Sequence, residues 1–222
     1  MQDGDETSTV SSGRVLVTVA TYNELENLPD LVDEIWRYAA EVDILVVDDN
    51  SPDGTGDWCD RRAGEDPRLA CIHRAGKLGL GTATIAAMQY AIDGGYALMV
   101  NMDADFSHHP RYLPDLLAAA RAGGDPPPGC VIGSRYVDGG GVEGWPLRRR
   151  LMSRAVNFYA RTLLGLTPGD CSGAFRCYRV SLLREIPFEQ VISRGYSFQE
   201  EILWWLKRAG CRFVEVPILF AD

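Results

Sequence analysis

The segment YALMVNMDADFSHHP, residues 96–110, carries the architecture of this chain in miniature. Residues 96–102 form a strand-length run that is apolar but for Asn101, and such a run suits a strand covered on both faces. The run stops at Asp103-Ala104-Asp105, two carboxylates one residue apart with no Lys or Arg beside them. Left alone, those carboxylates repel each other; a shared cation removes the repulsion. Hard cations such as Mg2+ or Mn2+ take oxygen ligands from one or two carboxylates and complete their shell with substrate phosphates. Two solvated acids in a turn would leave the same letters, and the position at the tip of an apolar strand favours the metal. One unit charge pair at about 4 Å and an effective dielectric near 20 is worth about 4 kcal/mol. Charge building on a leaving diphosphate is then a target worth stabilising. Pro110 reads as the first residue of a helix over residues 110–121.

The same grammar runs upstream. Residues 14–20 (RVLVTVA) read as a buried strand, and residues 27–40 place Leu28, Leu31, Val32, Ile35 and Trp36 at helical spacing. Residues 43–47 form a second strand ending in Asp48-Asp49, and a Ser-Pro-Asp-Gly turn opens a helix from Gly54. A short strand over residues 69–73 and a small-residue helix over residues 81–93, closed by Gly94-Gly95, precede the opening segment. Downstream, strands are expected at residues 130–133, 174–179 and 213–220, helices at 147–164 and 198–209, and a flexible loop at 139–144. Alternating strands and helices predict an α/β fold, a Rossmann-like, mainly parallel sheet flanked by helices. Ligands on such sheets bind beyond the carboxyl ends of the strands. The polar clusters Thr21-Tyr22-Asn23-Glu24, Asp48-Asp49 and Asp103-Ala104-Asp105 all fall there.

Composition bounds the chemistry. The 222 residues carry 22 basic and 31 acidic side chains, a net charge of −9, which argues against generic nucleic-acid binding. No stretch reaches the roughly 18 apolar residues of a membrane span. Residues 1–13 are polar and acidic, read as a disordered tail rather than a secretory signal, leaving residues 14–222 as a single domain. Six scattered cysteines without a CxxC pair are expected to be reduced thiols in a cytosolic protein.

Other residues keep two readings. Asp49 suits hydrogen bonds from a base or ribose; Asp48 either joins it or caps local amides. Tyr22 can stack on a base and Glu24 can accept from one, but both equally suit the N-terminal turn of a helix. No GxGxxG follows the first strand, which removes support for a dinucleotide-binding version of the fold. Arg135, Arg148, Arg149, Arg150 and Arg154 could be a solvated face, yet the guanidinium fork fits phosphate oxygens. Lys77 lies in GKLGLG, a loop that either lets backbone approach a ligand or is simply tight. His108 and His109 are adjacent, point apart on one element, and read as structural. Glu200-Glu201 either favour the dipole of the helix they open, or one of them faces the cleft. Residues 147–164 are either a basic membrane-surface helix or a core helix.

Taken in order, ATYNELENLP, ILVVDDNSPDGTGD, GKLGLGTA, NMDADFSHHP, VIGSRYVDGGGVEGWPLRRRLMSRAVNF, DCSGAFRCYR, RGYSFQEE and FVEVPILFAD span residues 20–222. This ordered set resembles the polyprenyl-phosphate (dolichol-phosphate) mannose synthases of glycosyltransferase family 2, whose fold is GT-A. The resemblance implies a GDP-mannose donor, Mg2+ or Mn2+, and a dolichyl or other polyprenyl phosphate acceptor. It implies that Ala20, Tyr22, Glu24, Val47 and Asp49 line the nucleotide, with Lys77 also on the donor side. It places Asp103, Ala104 and Asp105 at the diphosphate and metal, with Ser107 as a further metal contact. Arg135 would bridge donor and acceptor phosphates, and Arg149 and Ser153 would hold the acceptor phosphate. Ala20 stands where the family usually has Pro, and Ser107 where some members have Gln. Family members continue past Asp222 with an Arg and a Gly-x-Ser-Lys stretch that help bind donor phosphates, so the domain is expected to be truncated at its C-terminal end.

A phosphate acceptor is largely dianionic at neutral pH and needs no general base. The expected site is therefore rich in positioning groups and poor in a His or Glu base, and in-line attack inverts the sugar. A lipid-linked acceptor implies a peripheral protein at the cytoplasmic face of a membrane. The same chemistry with UDP-glucose, and a non-catalytic nucleotide-sugar-binding module, are the competing readings.

Overall fold

The computed structural model describes residues 13–221, so the expected tail lies almost wholly outside the described residues. A seven-stranded sheet is ordered β3-β2-β1-β4-β7-β5-β8. Its strands are β1 (Val15–Thr21), β2 (Asp43–Asp48), β3 (Leu69–His73), β4 (Leu98–Met102), β5 (Pro128–Ser134), β7 (Arg176–Arg179) and β8 (Arg212–Pro217). β1 runs parallel to β2 and β4, β2 to β3, and β5 to β8, while β7 is antiparallel to both neighbours. The mainly parallel expectation holds, with β7 as the reversed strand.

Period-two alternation divides the strand side chains between two cores. Val15, Val17, Val19, Ile44 and Val46 pack on one face against α1 (Leu28–Tyr38) and α4 (Leu113–Arg121). Leu16, Leu45 and Val47 pack on the other against α3 (Leu80–Asp93) and α7 (Phe198–Arg208). β1 and β2 are buried along almost their whole length, which is why their sequences read as continuous apolar runs. β1 leads through α1 to β2, and β2 through α2 (Thr55–Glu65) to β3, before the chain returns to β4 on the other side of β1. That reversal places a crevice at the carboxyl ends of β1 and β4.

Several boundaries moved. The expected helix at residues 110–121 starts as a 3-10 turn, Pro110–Tyr112, and becomes α4 at Leu113. The loop at 139–144 contains β6 (Gly141–Val142), paired with β9 (Leu219–Phe220). The expected last strand is thus two strands, β8 in the main sheet and β9 against β6. α5 (Leu147–Leu164) has the expected limits, but only Asn157 and Ala160 are buried. The core-helix reading of α5 fails on that count. A four-residue helix, α6 (Val180–Leu183), links β7 to the segment before α7.

Candidate active site

β4 delivers Asp103 at its tip, and the chain then closes into a tight loop. Phe106 sits at φ 60°, beside two other positive-φ residues at strand ends, Asn23 and Asn50. Asparagine tolerates that backbone; a bulky aromatic pays about 1–3 kcal/mol. The Ser107 amide donates to Asp105 Oδ1 at 3.0 Å, and the Asp103 amide donates to His108 Nδ1 at 3.2 Å. His108 is 2% exposed and stacks on Phe175 with ring centroids 5.2 Å apart. Burial pushes its imidazole below the ordinary value, so it stays neutral. Since Nδ1 accepts from the Asp103 amide, the 3.4 Å approach of Nδ1 to Asp103 Oδ2 is a contact and not an ion pair. His109 caps the 3-10 turn by accepting from the Arg111 amide. Both histidines make structural contacts, and His108 also lines the cavity beside Asp103.

Asp103, Asp105 and Ser107 line one cavity of about 600 Å³. Ser107 Oγ is buried there without a hydrogen-bond partner, while Ala104 turns into the core. Among the described residues no group of three or more His, Cys, Asp or Glu converges. Two carboxylates and an orphaned hydroxyl are what a hard cation sharing its shell with phosphates requires, and the residues fit one.

The same cavity is lined by Arg135, Arg149 and Ser153. Arg135 follows β5 and is 9% exposed. Its Nε and Nη2 donate to Asp170 Oδ2 and Oδ1, each at 2.7 Å, and Nη2 also donates to Ser172 Oγ at 2.9 Å. Its guanidinium lies 5.3 Å from the Trp145 ring centroid and 5.5 Å from that of Phe220. Arg149 lies 4.2 Å above Trp145. Ser153 Oγ accepts from Tyr136 Oη at 2.6 Å, keeping its own proton to donate. Asp170 was missed as a site residue; the signal was its place opening DCSG after a turn Gly. Asn157 ties α5 to that loop by accepting from the Cys171 amide at 2.6 Å.

The other expected donor residues form a second cluster at the ends of β1 and β2. Asp49 pairs with Arg74 at 2.9 Å, though neither Asp49 Oδ1 nor Arg74 Nη1 finds hydrogen-bond alignment. Burial raises the Asp49 carboxyl above its ordinary value against the pull of Arg74. Lys77 Nζ lies 4.3 Å over the exposed Tyr22 ring. Ala20 and Val47 are register partners on β1 and β2, with the Val47 side chain in the core. Glu24 is engaged with the α1 turn: Oε2 accepts from Asn27 Nδ2 at 3.0 Å and its carbonyl from the Leu28 amide at 2.8 Å. Asp48 resolves to a cap, accepting from the Thr21 hydroxyl and the Ser51 amide, each at 3.0 Å. Two of the three GKLGLG glycines pack against protein: a Cβ on Gly79 would meet the Arg194 carbonyl oxygen at 2.6 Å and one on Gly81 the Ser193 carbonyl oxygen at 2.8 Å, whereas Gly76 has open space around it. Glu201 accepts from the Ile192 and Ser193 amides, whereas Glu200 lines the cavity.

Known proteins resemble this chain in sequence and in fold. The profile of glycosyl transferase family 2 matches residues 16–187. An undecaprenyl-phosphate mannosyltransferase of Micrococcus luteus is 46% identical over 94% of this chain and 84% of its own. A polyprenol monophosphomannose synthase of Mycolicibacterium smegmatis is 44% identical over 99% and 82%. In fold, the chain is similar to glucosyl-3-phosphoglycerate synthase from Mycobacterium tuberculosis, solved with Mn2+, UDP and glucosyl-3-phosphoglycerate. That match has TM-score 0.69 at 19% identity, over 94% of this chain and 71% of that one. A mannosyltransferase from Pyrobaculum calidifontis, solved with GDP-Man and Mn2+, aligns at TM-score 0.63 and 20% identity over 96% and 57%. Since the profile runs through β1–β7 and the loops that carry Asp103, Arg135 and Asp170, the chain belongs to glycosyl transferase family 2 and is a glycosyltransferase of the GT-A fold.

Proposed function

We propose that this enzyme transfers mannose from GDP-mannose to a dolichyl or other polyprenyl phosphate, with inversion and with Mg2+ or Mn2+. The observation that carries the reading is one cavity with carboxylates at one end and arginines at the other. Asp103, Asp105 and the orphaned Ser107 hydroxyl face it together with Arg135, Arg149 and Ser153. Such a site receives two phosphorylated ligands at once; the two relatives' names support mannose and a polyprenyl phosphate, and the GDP-Man bound to the Pyrobaculum calidifontis enzyme supports the donor.

Asp103, Asp105 and Ser107 would hold the cation, which when bound offsets charge on the leaving diphosphate. Tyr22, Asp49 and Lys77, with the backbone at Ala20, Glu24 and Val47, lie at the nucleotide end. Arg135 bridges the two phosphates, and Arg149 and Ser153 hold the acceptor phosphate. An acceptor oxygen, already anionic near pH 7, attacks the anomeric carbon as the bond to the diphosphate breaks. No proton needs removal, and His108, neutral and committed through Nδ1 to the Asp103 amide, is not placed to remove one. Positioning supplies the rate.

Residues 14–222 read as one catalytic domain, since the seven-stranded sheet takes strands from both ends of the chain, β1 to β8. α5 supports a peripheral place at the cytoplasmic face of a membrane. Leu147, Leu151, Phe158 and Leu163 are exposed on it beside five arginines and no acid. Among the described residues no helix is long and apolar enough to cross a membrane. The test is transfer of labelled mannose from GDP-mannose to polyprenyl phosphate, with and without EDTA. Product that forms unchanged in EDTA, or only from UDP-glucose, would overturn the reading.

A further inference from the structure

A second cavity, of about 400 Å³, lies along α5 and adjoins the active one, since Arg135 lines both. Arg154, Phe158 and Arg161 line it, and their i, i+4, i+7 spacing puts them on one face of the helix. Both arginines are exposed, and among the described residues neither is held by an ion pair or a hydrogen bond. Their neighbours are engaged: Arg135 by Asp170 at 2.7 Å, and Arg150 by the Trp145 and Val142 carbonyls at 3.1 and 3.3 Å. Among the described residues, Asp138 is the one acid on the wall of this cavity.

The place of the cavity on the helix selects what enters it. The same face continues toward the start of α5 through Leu151 and Leu147, both exposed like Phe158. An anion there meets two guanidinium forks with apolar side chains directly beside them. Inorganic phosphate gains nothing from Leu147, Leu151 and Phe158. A phospholipid gains from both, its phosphodiester on the arginines and its acyl chains over the apolar residues. Charge agrees: α5 carries five arginines and no acid in a chain of net charge −9, so this helix is drawn to an anionic surface. Asp138 repels a second negative group on the headgroup but accepts from hydroxyls, which favours a polyol such as glycerol.

We propose that Arg154 and Arg161 form a binding site for the headgroup phosphodiester of an anionic glycerophospholipid, separate from the acceptor phosphate at Arg149 and Ser153. This rests on the membrane-surface reading of α5 and adds a fixed point of attachment to it. A lipid held there sets the rotation of α5 at the surface. Because Arg149 and Ser153 belong to the same helix, it also sets where the acceptor phosphate is received relative to the bilayer.

The test is sedimentation with phosphatidylcholine vesicles containing phosphatidylglycerol. It compares the parent, the double variant Arg154→Lys with Arg161→Lys, and Arg148→Lys. Lysine keeps each charge and removes the fork, and Arg148 is on α5 but outside this cavity. The double variant should bind vesicles about tenfold more weakly, the scale of one charged hydrogen bond. Arg148→Lys should stay within about twofold, because attraction to the surface depends on charge alone. Melting temperature, and turnover with a short water-soluble prenyl phosphate in lipid-free buffer, should match the parent in both. Equal vesicle binding by the parent and the double variant would overturn the site and leave the surface reading intact. An equal loss in Arg148→Lys would mark diffuse attraction and overturn it too. A parent that does not sediment at all would remove the site and the surface reading together. Calorimetric binding of glycerol 3-phosphate, lost in the double variant while vesicle binding is unaffected, would give the cavity to a free phosphate instead. A dimer that Phe158→Asp dissolves and vesicles do not would give the face to a second copy of the chain, again overturning the lipid.

Discussion

Arg135 and Asp170 meet through two parallel hydrogen bonds of 2.7 Å, and the Asp170 side chain is wholly buried. Asp170 Oδ2 also accepts from the Arg135 amide at 3.1 Å, so one carboxylate fixes both the backbone and the fork of the same residue. Burial alone would raise the Asp170 carboxyl, but the Arg135 contacts outweigh it and hold it below the ordinary value. The pair turns a flexible cation into a fixed one before any phosphate arrives, which lowers the cost of ordering it during reaction.

Removing one partner strands the other. Arg135→Ala should lower turnover about a hundredfold, the scale for losing a preorganised charged donor, while GDP-mannose still binds. It should also destabilise the fold by about 3 kcal/mol, because Asp170 is left buried and unpaired. Adding Asp170→Asn should restore most of that stability and none of the turnover. Denaturant unfolding and steady-state rates on the single and double variants check this. Turnover unchanged in Arg135→Ala would remove its bridging role.

Asp170 also fixes a pH response. Its carboxyl is depressed in the folded state, so its stabilisation is complete above the unfolded value near 3.9. It is lost as pH falls through the lower folded value. Acid unfolding below about pH 4 should be shallower in Asp170→Asn than in the parent, measured by circular dichroism at fixed ionic strength. An identical acid limb in the two proteins would contradict the assignment.

The acid triplet is separable from the fold. Asp105 is exposed, and its bond to the Ser107 amide is local, so Asp105→Asn should change intrinsic stability by only about 0.5 kcal/mol. A ligand at a hundred times its Kd stabilises by about 2.7 kcal/mol, and GDP with Mn2+ should raise the melting temperature of the parent accordingly. In Asp103→Asn and Asp105→Asn that rise should vanish. A full rise in either variant would place the cation elsewhere.

The GKLGLG loop shows where sequence runs out. Glycine spacing alone left open a ligand contact or a tight turn, because both demand the same absent side chain. In the fold, Gly79 has φ 100° and approaches Arg194, and Gly81 approaches Ser193 and Phe198. The contact is more than a hundred residues away in sequence, and no local pattern encodes it. Gly79→Ala should cost about 1–3 kcal/mol and disturb the turn that carries Gln199 and Glu200, which line the active cavity. A melting temperature and turnover equal to the parent's would refute that coupling.

The same division runs through the rest of the chain. Apolar runs fixed β1, β2 and β4, and the cavity's acids were legible because those runs stop at them. Asp170 was not, since it draws its meaning from Arg135, a partner that only the folded chain brings to it. Asp48 and Asp49 were indistinguishable as letters; strand pleating sends one to the Ser51 turn and the other to Arg74. The proposed substrates come from similarity to known proteins, because the cavity's hydrogen bonds specify phosphates and a cation but no particular sugar or lipid.

α5 presents the last question, and its surface makes the answer measurable. Phe158 is 72% and Leu151 57% exposed, while the arginines on the same helix oppose the net charge of the chain. A helix that covers so little core gains apolar burial only by meeting something else, and an anionic bilayer answers both its charge and its greasy residues. The protein should co-sediment with vesicles containing anionic phospholipid, less so as salt rises. Leu151→Asp with Phe158→Asp should abolish sedimentation and slow transfer to a long polyprenyl phosphate about tenfold or more, since two apolar anchors are each worth about 1.5–3 kcal/mol. Transfer to a short, water-soluble prenyl phosphate should persist, and the melting temperature should barely move because neither side chain is buried. A parent protein that stays in the supernatant with such vesicles at low salt would remove α5 from the membrane and leave acceptor delivery to another part of the surface.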